Sequence, residues 1–216
     1  RAECFSVVMF FFLMIARPPR ATLFTYTTLF RSLKMSLEAS AGRYIENFCD
    51  TAHFAFVHRG TFGSAEHSQV PDYELTESDS SIHFTVTTFL KDEGKPGTNR
   101  PEVDEVPTTY SVYLPYLAAM SEQLRNNCAR NIAALLQPVT ATRCHLYMLL
   151  TRDFDFDSPL EEWLEYQQRV NEEDRVIIEA QHPLELPVFK SQEVHMPADR
   201  FSMAYRSRLR ALGMDG

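Results

Sequence analysis

The sequence predicts an α+β fold in which an antiparallel β-sheet packs on a long helix near the C-terminus. Stretches of alternating apolar and polar residues follow one another between residues 70 and 154 with no helix between them, as in antiparallel sheets. The apolar spacing then changes to that of a helix over residues 157–183. A shorter basic amphipathic helix is predicted over residues 197–213.

The predicted strands follow a short strand or turn at residues 39–46, ASAGRYIE. Residues 70–77 and 81–90 have the period-two character of strands. The polar segment 92–102 contains two prolines and two glycines and is predicted to be a loop. Further strands are predicted at residues 107–120, 131–139 and 142–154.

The long helix has start and stop signals. Ser158 is the predicted N-cap, with Pro159 at the first helical position and Glu161 completing a capping box. The helix is expected to stop before Pro183. Asp174 lies on its apolar stripe, where a carboxylate is costly unless it is paired or binds a metal. The stripe consists of Trp163, Val170, Ile177 and Ile178.

The last predicted helix has an apolar side and a basic side. The candidate packing residues are Met203, Tyr205 and Leu209. The basic residues Arg206, Arg208 and Arg210 are expected to form a solvated face.

Composition limits the classes of function. The chain has 216 residues and a formal net charge of −8. An acidic chain without a clustered basic stripe is not expected to bind nucleic acid. Its four cysteines are scattered without a CxxC pair, which is typical of the reducing cytoplasm. The apolar run Val7–Ile15 is too short to cross a bilayer, so no membrane association is expected.

Residues 1–32 differ in character from the rest of the chain. Within them, FFFLMIARPPRATLFTYTTLFRS closely resembles the peptide obtained when a sequencing adapter is translated with a gene fragment. Such a segment has no evolved structure and is left out of fold reasoning. The sequence therefore predicts a non-native, unstructured segment at residues 1–32 and one domain at residues 33–216.

Candidate metal ligands lie in the aromatic segment ENFCDTAHFAFVH, residues 46–58. His53 and His58 are five residues apart, about 140° around an ideal helix, so they share a face only if the helix ends, kinks or bulges between them. With Asp174 they would form a three-ligand site with open coordination positions, as in non-haem Fe(II) oxygenases. On the residues alone, structural histidines and a zinc hydrolase remain alternatives, although neither histidine is preceded by the glutamate of an HExxH motif.

The same segment resembles the mononuclear-iron motif of the large catalytic subunit of Rieske-type aromatic-ring-hydroxylating oxygenases. It contains an asparagine, an aspartate three residues later, and two histidines in the pattern D-x2-H-x4-H. EEDRVIIEAQ, FDFDSPLEEW and the C-terminal tail ADRFSMAYRSRLRALG are also similar to segments of that family. The resemblance covers about residues 36–216 and is strongest to the branch of vanillate O-demethylase and dicamba monooxygenase.

The resemblance implies a role for each residue of the motif. His53, His58 and Asp174 would bind a mononuclear Fe(II). Asp50 would accept a hydrogen bond from a ligand histidine, expected to be His53, and pass an electron from the Rieske cluster of a neighbouring subunit. Asn47 matches an asparagine that lies close to the iron and shapes the site.

The family also implies a fold and an activity. The fold would be a helix-grip, an antiparallel sheet wrapped on a long helix with the substrate between them. The parent protein would hydroxylate or O-demethylate an aromatic or apolar substrate, using O2 and electrons from a ferredoxin or reductase, as a cytoplasmic homotrimer. Candidates for the pocket wall are Phe54, Phe89, Tyr113 and Tyr147.

One family feature has no match in the sequence. The Rieske motif, C-x-H followed by C-x-x-H, would supply the ligands of a [2Fe-2S] cluster. Cys128 is followed two residues later by Arg130, and Cys144 lacks the required spacing. The chain is therefore interpreted as the catalytic domain of a truncated gene, inactive alone, whose full-length parent contains the cluster. The rival interpretation is a non-catalytic helix-grip domain that binds an apolar ligand.

Overall fold

The computed structural model describes residues 31–91, 103–189 and 193–214. The strands are β1 (Arg31–Leu37), β2 (Thr76–Glu77), β3 (Ser81–Lys91), β4 (Val103–Tyr113), β5 (Leu117–Gln123), β6 (Ala129–Thr140) and β7 (Arg143–Arg152). They form one antiparallel sheet in the order β1-β7-β6-β5-β4-β3-β2. The α-helices are α1 (Ala41–Cys49), α2 (Phe54–Val57), α3 (Leu160–Glu179) and α4 (Arg200–Ala211).

The core lies between one face of the sheet and the helices. Side chains alternate along each strand, so Ile82, Phe84 and Val86 of β3 point inward and are buried. Helix α1 contacts β5, β6 and β7 on one side and both α3 and α4 on the other. The segment that follows α1 therefore begins inside the molecule, beside α3. This architecture confirms the predicted α+β class.

Residues 39–46 are helical, and the prediction of a strand or turn there was wrong. Ser40 is the N-cap of α1, and its hydroxyl accepts a hydrogen bond from the Arg43 amide at 3.3 Å. Tyr44, Ile45 and Cys49 follow at helical spacing and are buried. The nine-residue helix is too short to show a clear period in the sequence.

The strand predictions were right in kind and differ in their bounds. Of residues 70–77, only Thr76–Glu77 pairs with the sheet. The predicted single strand at 107–120 is two strands, because β4 ends at Tyr113 and β5 begins at Leu117. Strand β1 was not predicted, and it includes the last two residues of the segment 1–32. The predicted loop at 92–102 lies outside the described residues.

Helix α3 ends before Pro183 as predicted, but its N-terminal cap differs. The helix begins at Leu160, and no side chain among the described residues caps it. The Ser158 hydroxyl instead donates to Asp155 Oδ1 at 2.7 Å, so the predicted capping box does not form. The indole N–H of Trp163 donates to the other Asp155 oxygen at 3.0 Å. Asp155 therefore connects the start of the helix to the preceding turn.

Helix α4 has a buried arginine, which corrects the prediction of a solvated basic face. Arg206 is 4% exposed and makes a bidentate ion pair with Glu46 of α1 at 2.6 and 2.7 Å. Its guanidinium also contacts Glu193 at 2.6 Å. Tyr205 and Leu209 pack in the core as predicted, whereas Met203 is exposed. Among the described helices, none is both long and apolar enough to span a membrane.

Candidate metal centre

The two candidate histidines flank a single helical turn. Helix α1 ends at Cys49, and α2 comprises only Phe54–Val57. His53 is the residue before this turn and His58 the residue after it. One helix therefore ends and another begins close to the histidines. This is the kind of break that two histidines five residues apart need in order to share a face. Both rings face Asp174, which is buried in the C-terminal half of α3.

Three candidate ligand atoms form a nearly equilateral triangle. Asp174 Oδ1 lies 3.3 Å from His53 Nε2 and 3.1 Å from His58 Nε2. The two Nε2 atoms are 3.2 Å apart. Metal–ligand bonds of about 2.1 Å place neighbouring ligands about 3.0 Å apart in an octahedron and about 3.4 Å apart in a tetrahedron. The donor set and the spacing therefore fit a single divalent metal ion.

Each histidine has a carboxylate on its outer nitrogen. His53 Nδ1 lies 3.1 Å from Asp50 Oδ2, and His58 Nδ1 lies 2.7 Å from Glu173 Oε2. A carboxylate accepts a hydrogen bond, so in the neutral imidazole the proton resides on Nδ1 and the Nε2 lone pair is free for a metal. Each histidine is therefore held in the tautomer that metal binding at Nε2 requires.

Asn47 contacts the buried aspartate directly. Its Nδ2 donates to Asp174 Oδ1 at 3.0 Å, and the residue is 7% exposed. The amide comes from the last turn of α1. The sequence prediction placed Asn47 next to the metal position, and the geometry gives it a hydrogen bond that orients the aspartate.

Aromatic rings enclose the histidines. Phe62 stacks on His58 with ring centroids 4.5 Å apart, and Phe54 packs edge-on against His53 at 5.0 Å. Phe54 is therefore the pocket-wall candidate that touches the site. The other three candidates, Phe89, Tyr113 and Tyr147, lie on strand positions that alternate with the inward ones. They are on the outer face of the sheet, so their prediction as pocket residues was wrong.

The electrostatics of the metal-free site favour a charged pair. Burial alone lowers the pKa of His53, but hydrogen bonds and charge from Asp174 and Asp50 outweigh it and raise the pKa to about 9. Burial acts to raise the pKa of Asp174, but hydrogen bonds to His53 and His58 and their charges hold it well below its usual value. Without a metal, a proton on the His53 imidazole thus supplies the positive charge beside Asp174 that a bound cation would otherwise supply.

Comparison with known proteins assigns the family. The vanillate O-demethylase oxygenase C-terminal domain matches residues 37–214. The chain belongs to this family. The resemblance to the catalytic domain of Rieske oxygenase large subunits is thereby confirmed, including the vanillate O-demethylase branch.

Related proteins agree with the assignment. The chain is 31% identical over 170 residues to the methylxanthine N3-demethylase NdmB of Pseudomonas putida, covering 78% of this chain and 46% of that protein. It is 26% identical over 178 residues to the methylxanthine N1-demethylase NdmA of the same species, covering 81% of this chain and 48% of that protein. The chain therefore spans about half the length of these relatives.

Solved structures show the same fold. NdmA of Pseudomonas putida CBB5, as the QL mutant with theobromine, aligns with a TM-score of 0.72 at 21% identity, covering 91% of this chain and 54% of that one. Dicamba monooxygenase bound to dicamba aligns with a TM-score of 0.68 at 13% identity, covering 92% and 64%. The helix-grip class predicted for the sheet and helices is confirmed by this similarity.

Sequence reasoning missed Glu173 and Thr61. Glu173 directly precedes the predicted ligand Asp174 and has the solvent-facing character of a helical glutamate. Thr61 lies three residues beyond His58, and its hydroxyl is 2.8 Å from Glu173 Oε2. The signal that could have found Glu173 is the need of His58 for an acceptor at its outer nitrogen, because Asp50 contacts the outer nitrogen of His53 instead.

Proposed function

We propose that this chain is the mononuclear-iron catalytic domain of a Rieske-type oxygenase. The observation that carries the proposal is the triangle of His53 Nε2, His58 Nε2 and Asp174 Oδ1, with a carboxylate on the outer nitrogen of each histidine. Two imidazoles and one carboxylate leave open positions on a metal, which is the ligand set of non-haem Fe(II) oxygenases. Family membership supports iron over zinc, whose radius and donor preferences the same triangle would also satisfy.

The residues of the site would have different roles in binding the ion. His53, His58 and Asp174 would be its protein ligands, and Asn47 would hold Asp174 in place through its 3.0 Å hydrogen bond. Phe54 and Phe62 would keep bulk water away from the rings. When bound, the iron would supply the activation of O2 for inserting oxygen into a substrate.

We propose Asp50 as the route by which an electron reaches the site. One of its oxygens accepts from the Ala52 amide at 2.8 Å, and the other lies 3.1 Å from His53 Nδ1. Its side chain is 36% exposed, compared with 9% for His53. Asp50 therefore connects a buried candidate ligand to the surface, where a Rieske-cluster histidine of a neighbouring subunit could bind. The [2Fe-2S] cluster, the homotrimer and the ferredoxin or reductase donor belong to this proposal for the full-length parent.

The proposed substrate is a planar aromatic or heteroaromatic compound that is hydroxylated or demethylated. This class is supported by relatives named as methylxanthine demethylases and by the structural similarity to dicamba monooxygenase. We place the reaction in the cytoplasm, which the free thiols of Cys49, Cys128 and Cys144 support.

Nitric oxide, a stand-in for O2, tests the open coordination position. The full chain is loaded anaerobically with Fe(II), exposed to nitric oxide and examined by electron paramagnetic resonance. We expect the spectrum of a high-spin ferrous nitrosyl in the wild type and its loss in Asp174→Ala.

The alternative functions predict different results in this experiment and in two companion assays, ester hydrolysis and uptake of an apolar ligand. An iron-loaded wild type that forms no nitrosyl would contradict an oxygenase centre. Hydrolysis of an ester by the Zn(II)-loaded chain, with no requirement for Fe(II), would indicate a hydrolase. Absence of metal binding, with uptake of an apolar ligand, would favour the binding domain.

A further inference from the structure

Glu173 has the geometry of a residue that orients His58. The His58 ring is 1% exposed, and its Nε2 faces Asp174 and His53. The only ring nitrogen left to carry a proton while Nε2 binds a cation is Nδ1. Glu173 Oε2 lies 2.7 Å from that nitrogen and is positioned to accept its hydrogen. The carboxylate therefore selects both the tautomer and the rotation of the ring.

Glu173 is itself held by the turn that follows His58. The Thr61 hydroxyl is 2.8 Å from the same Oε2 atom and 3.3 Å from the His58 carbonyl oxygen, so its single proton goes to the carboxylate. Thr61 is 2% exposed, and its amide donates to the His58 carbonyl at 3.1 Å. His58, Thr61 and Glu173 thus form a closed set of contacts between the turn and α3.

The neighbouring glutamate provides a built-in comparison. Glu172 lies on the same helix with the same charge, but it pairs with Arg175 and its side chain is 43% exposed. The Glu173 side chain is 28% exposed and points to the histidine. Consecutive helical residues are about 100° apart around the helix axis. Asp174 therefore faces the metal position, while Glu173 reaches the outer nitrogen of the His58 ring.

We propose that Glu173 is a positioning residue for the metal ligand His58, as Asp50 is for His53, and that Thr61 fixes its carboxylate. This inference rests on the proposed metal function of His53, His58 and Asp174. Outer contacts of this kind fix ring orientation, and losing one typically weakens metal affinity about 10- to 100-fold.

Anaerobic titration of the full chain with Co(II) tests the inference, because the visible bands of cobalt report ligand geometry. We expect Glu173→Ala to weaken Co(II) binding about 10- to 100-fold and to change the bands at saturation. Glu173→Gln should retain much of the affinity, because both hydrogen bonds go to one oxygen that an amide carbonyl can replace. The matched control Glu172→Gln should bind within about twofold of the wild type.

Other outcomes separate the possible failures. If Glu173→Ala binds Co(II) with wild-type affinity and bands, and loses only thermal stability, Glu173 is structural and the inference is overturned. If Glu173→Ala does not fold, Thr61→Val decides instead. Weaker binding with altered bands supports the inference, and an unchanged titration overturns it. If wild type and Asp174→Ala bind Co(II) equally, the metal site itself fails, and that result is distinct from a failure of Glu173 alone.

Discussion

At the scale of residues, the candidate metal site is centred on one oxygen atom of Asp174 that contacts several nitrogen atoms. Asp174 Oδ1 faces both histidines and accepts from Asn47, so a single carboxylate oxygen lies among three nitrogen atoms. The sequence indicated the candidate ligand residues because two histidines and a carboxylate at apolar positions are costly without a partner, and the resemblance to the family's iron motif then favoured a metal site. It did not identify Glu173, because a glutamate that is partly exposed on a helix has no such cost.

The raised pKa of His53 predicts that the metal-free chain becomes less stable as pH rises. The pKa is 6.5 in an unfolded chain and about 9 in the fold, so the folded state binds the extra proton. Its contribution is fully present below pH 6.5 and is lost as pH rises through 9. Thermal unfolding in a chelator, measured between these pH values, should show the midpoint falling more steeply in wild type than in His53→Gln. Parallel slopes would show that His53 does not titrate in this way.

Tyr110 gives a second residue-scale prediction. Its ring is fully buried, and its hydroxyl has no hydrogen-bond partner among the described residues. Removing an unsatisfied buried hydroxyl should not cost stability, so Tyr110→Phe is expected to raise the free energy of unfolding by about 1 kcal/mol. The control is Tyr205→Phe, whose hydroxyl donates to the Pro115 carbonyl at 2.7 Å and whose loss should cost about 1 kcal/mol. Chemical denaturation measures both, and a stability loss in Tyr110→Phe would contradict the assignment.

At the scale of elements, the site needs the break between α1 and α2 and the turn after His58. That turn folds back so closely that Gly63 donates to the His58 carbonyl at 2.7 Å. Gly63 also forms a bridge with Leu90 of β3, which attaches the turn to the sheet. The histidines are therefore positioned from both ends, by α1 on one side and by the sheet on the other.

Gly63 is expected to be intolerant of any side chain. A Cβ there would lie 2.0 Å from the Phe54 carbonyl oxygen and 2.9 Å from the His58 carbonyl carbon. Because these are backbone atoms, α2 must move, and Gly63→Ala should cost about 1–3 kcal/mol. Gly60→Ala is the matched control, since its Cβ would meet nothing closer than Glu173 Oε1 at 3.6 Å. Equal unfolding free energies for the two variants would show that the turn can adjust.

The elements that sequence reasoning misjudged share a physical reason. Helix α1 is too short for its apolar period to be read, and its interior position comes from packing against α3 and α4. Arg206 was expected on a solvated face, but it is neutralised by Glu46, 160 residues away in sequence. The long helix α3 and the strands β3 and β7 were predictable, because each contains enough residues to show its characteristic spacing of apolar residues.

At the scale of the whole molecule, the candidate metal site lies between the segment that follows α1 and helix α3, and the Asp50 side chain is 36% exposed. The chain spans about half the length of its curated relatives, 46% of NdmB and 48% of NdmA. This sequence contains no C-x-H and C-x-x-H pair of the Rieske type. The non-native character of residues 1–32 stays a prediction, because residues 1–30 lie outside the described part of the chain.

The central claim is that three side chains from two distant parts of the sequence bind one iron. Anaerobic titration of the full chain with Fe(II) tests it most directly, comparing wild type with Asp174→Ala and with Glu172→Ala as a control for helix charge. The account predicts one Fe(II) per chain in wild type and control, and binding at least about 100-fold weaker in Asp174→Ala. Equal affinity in wild type and Asp174→Ala would contradict it.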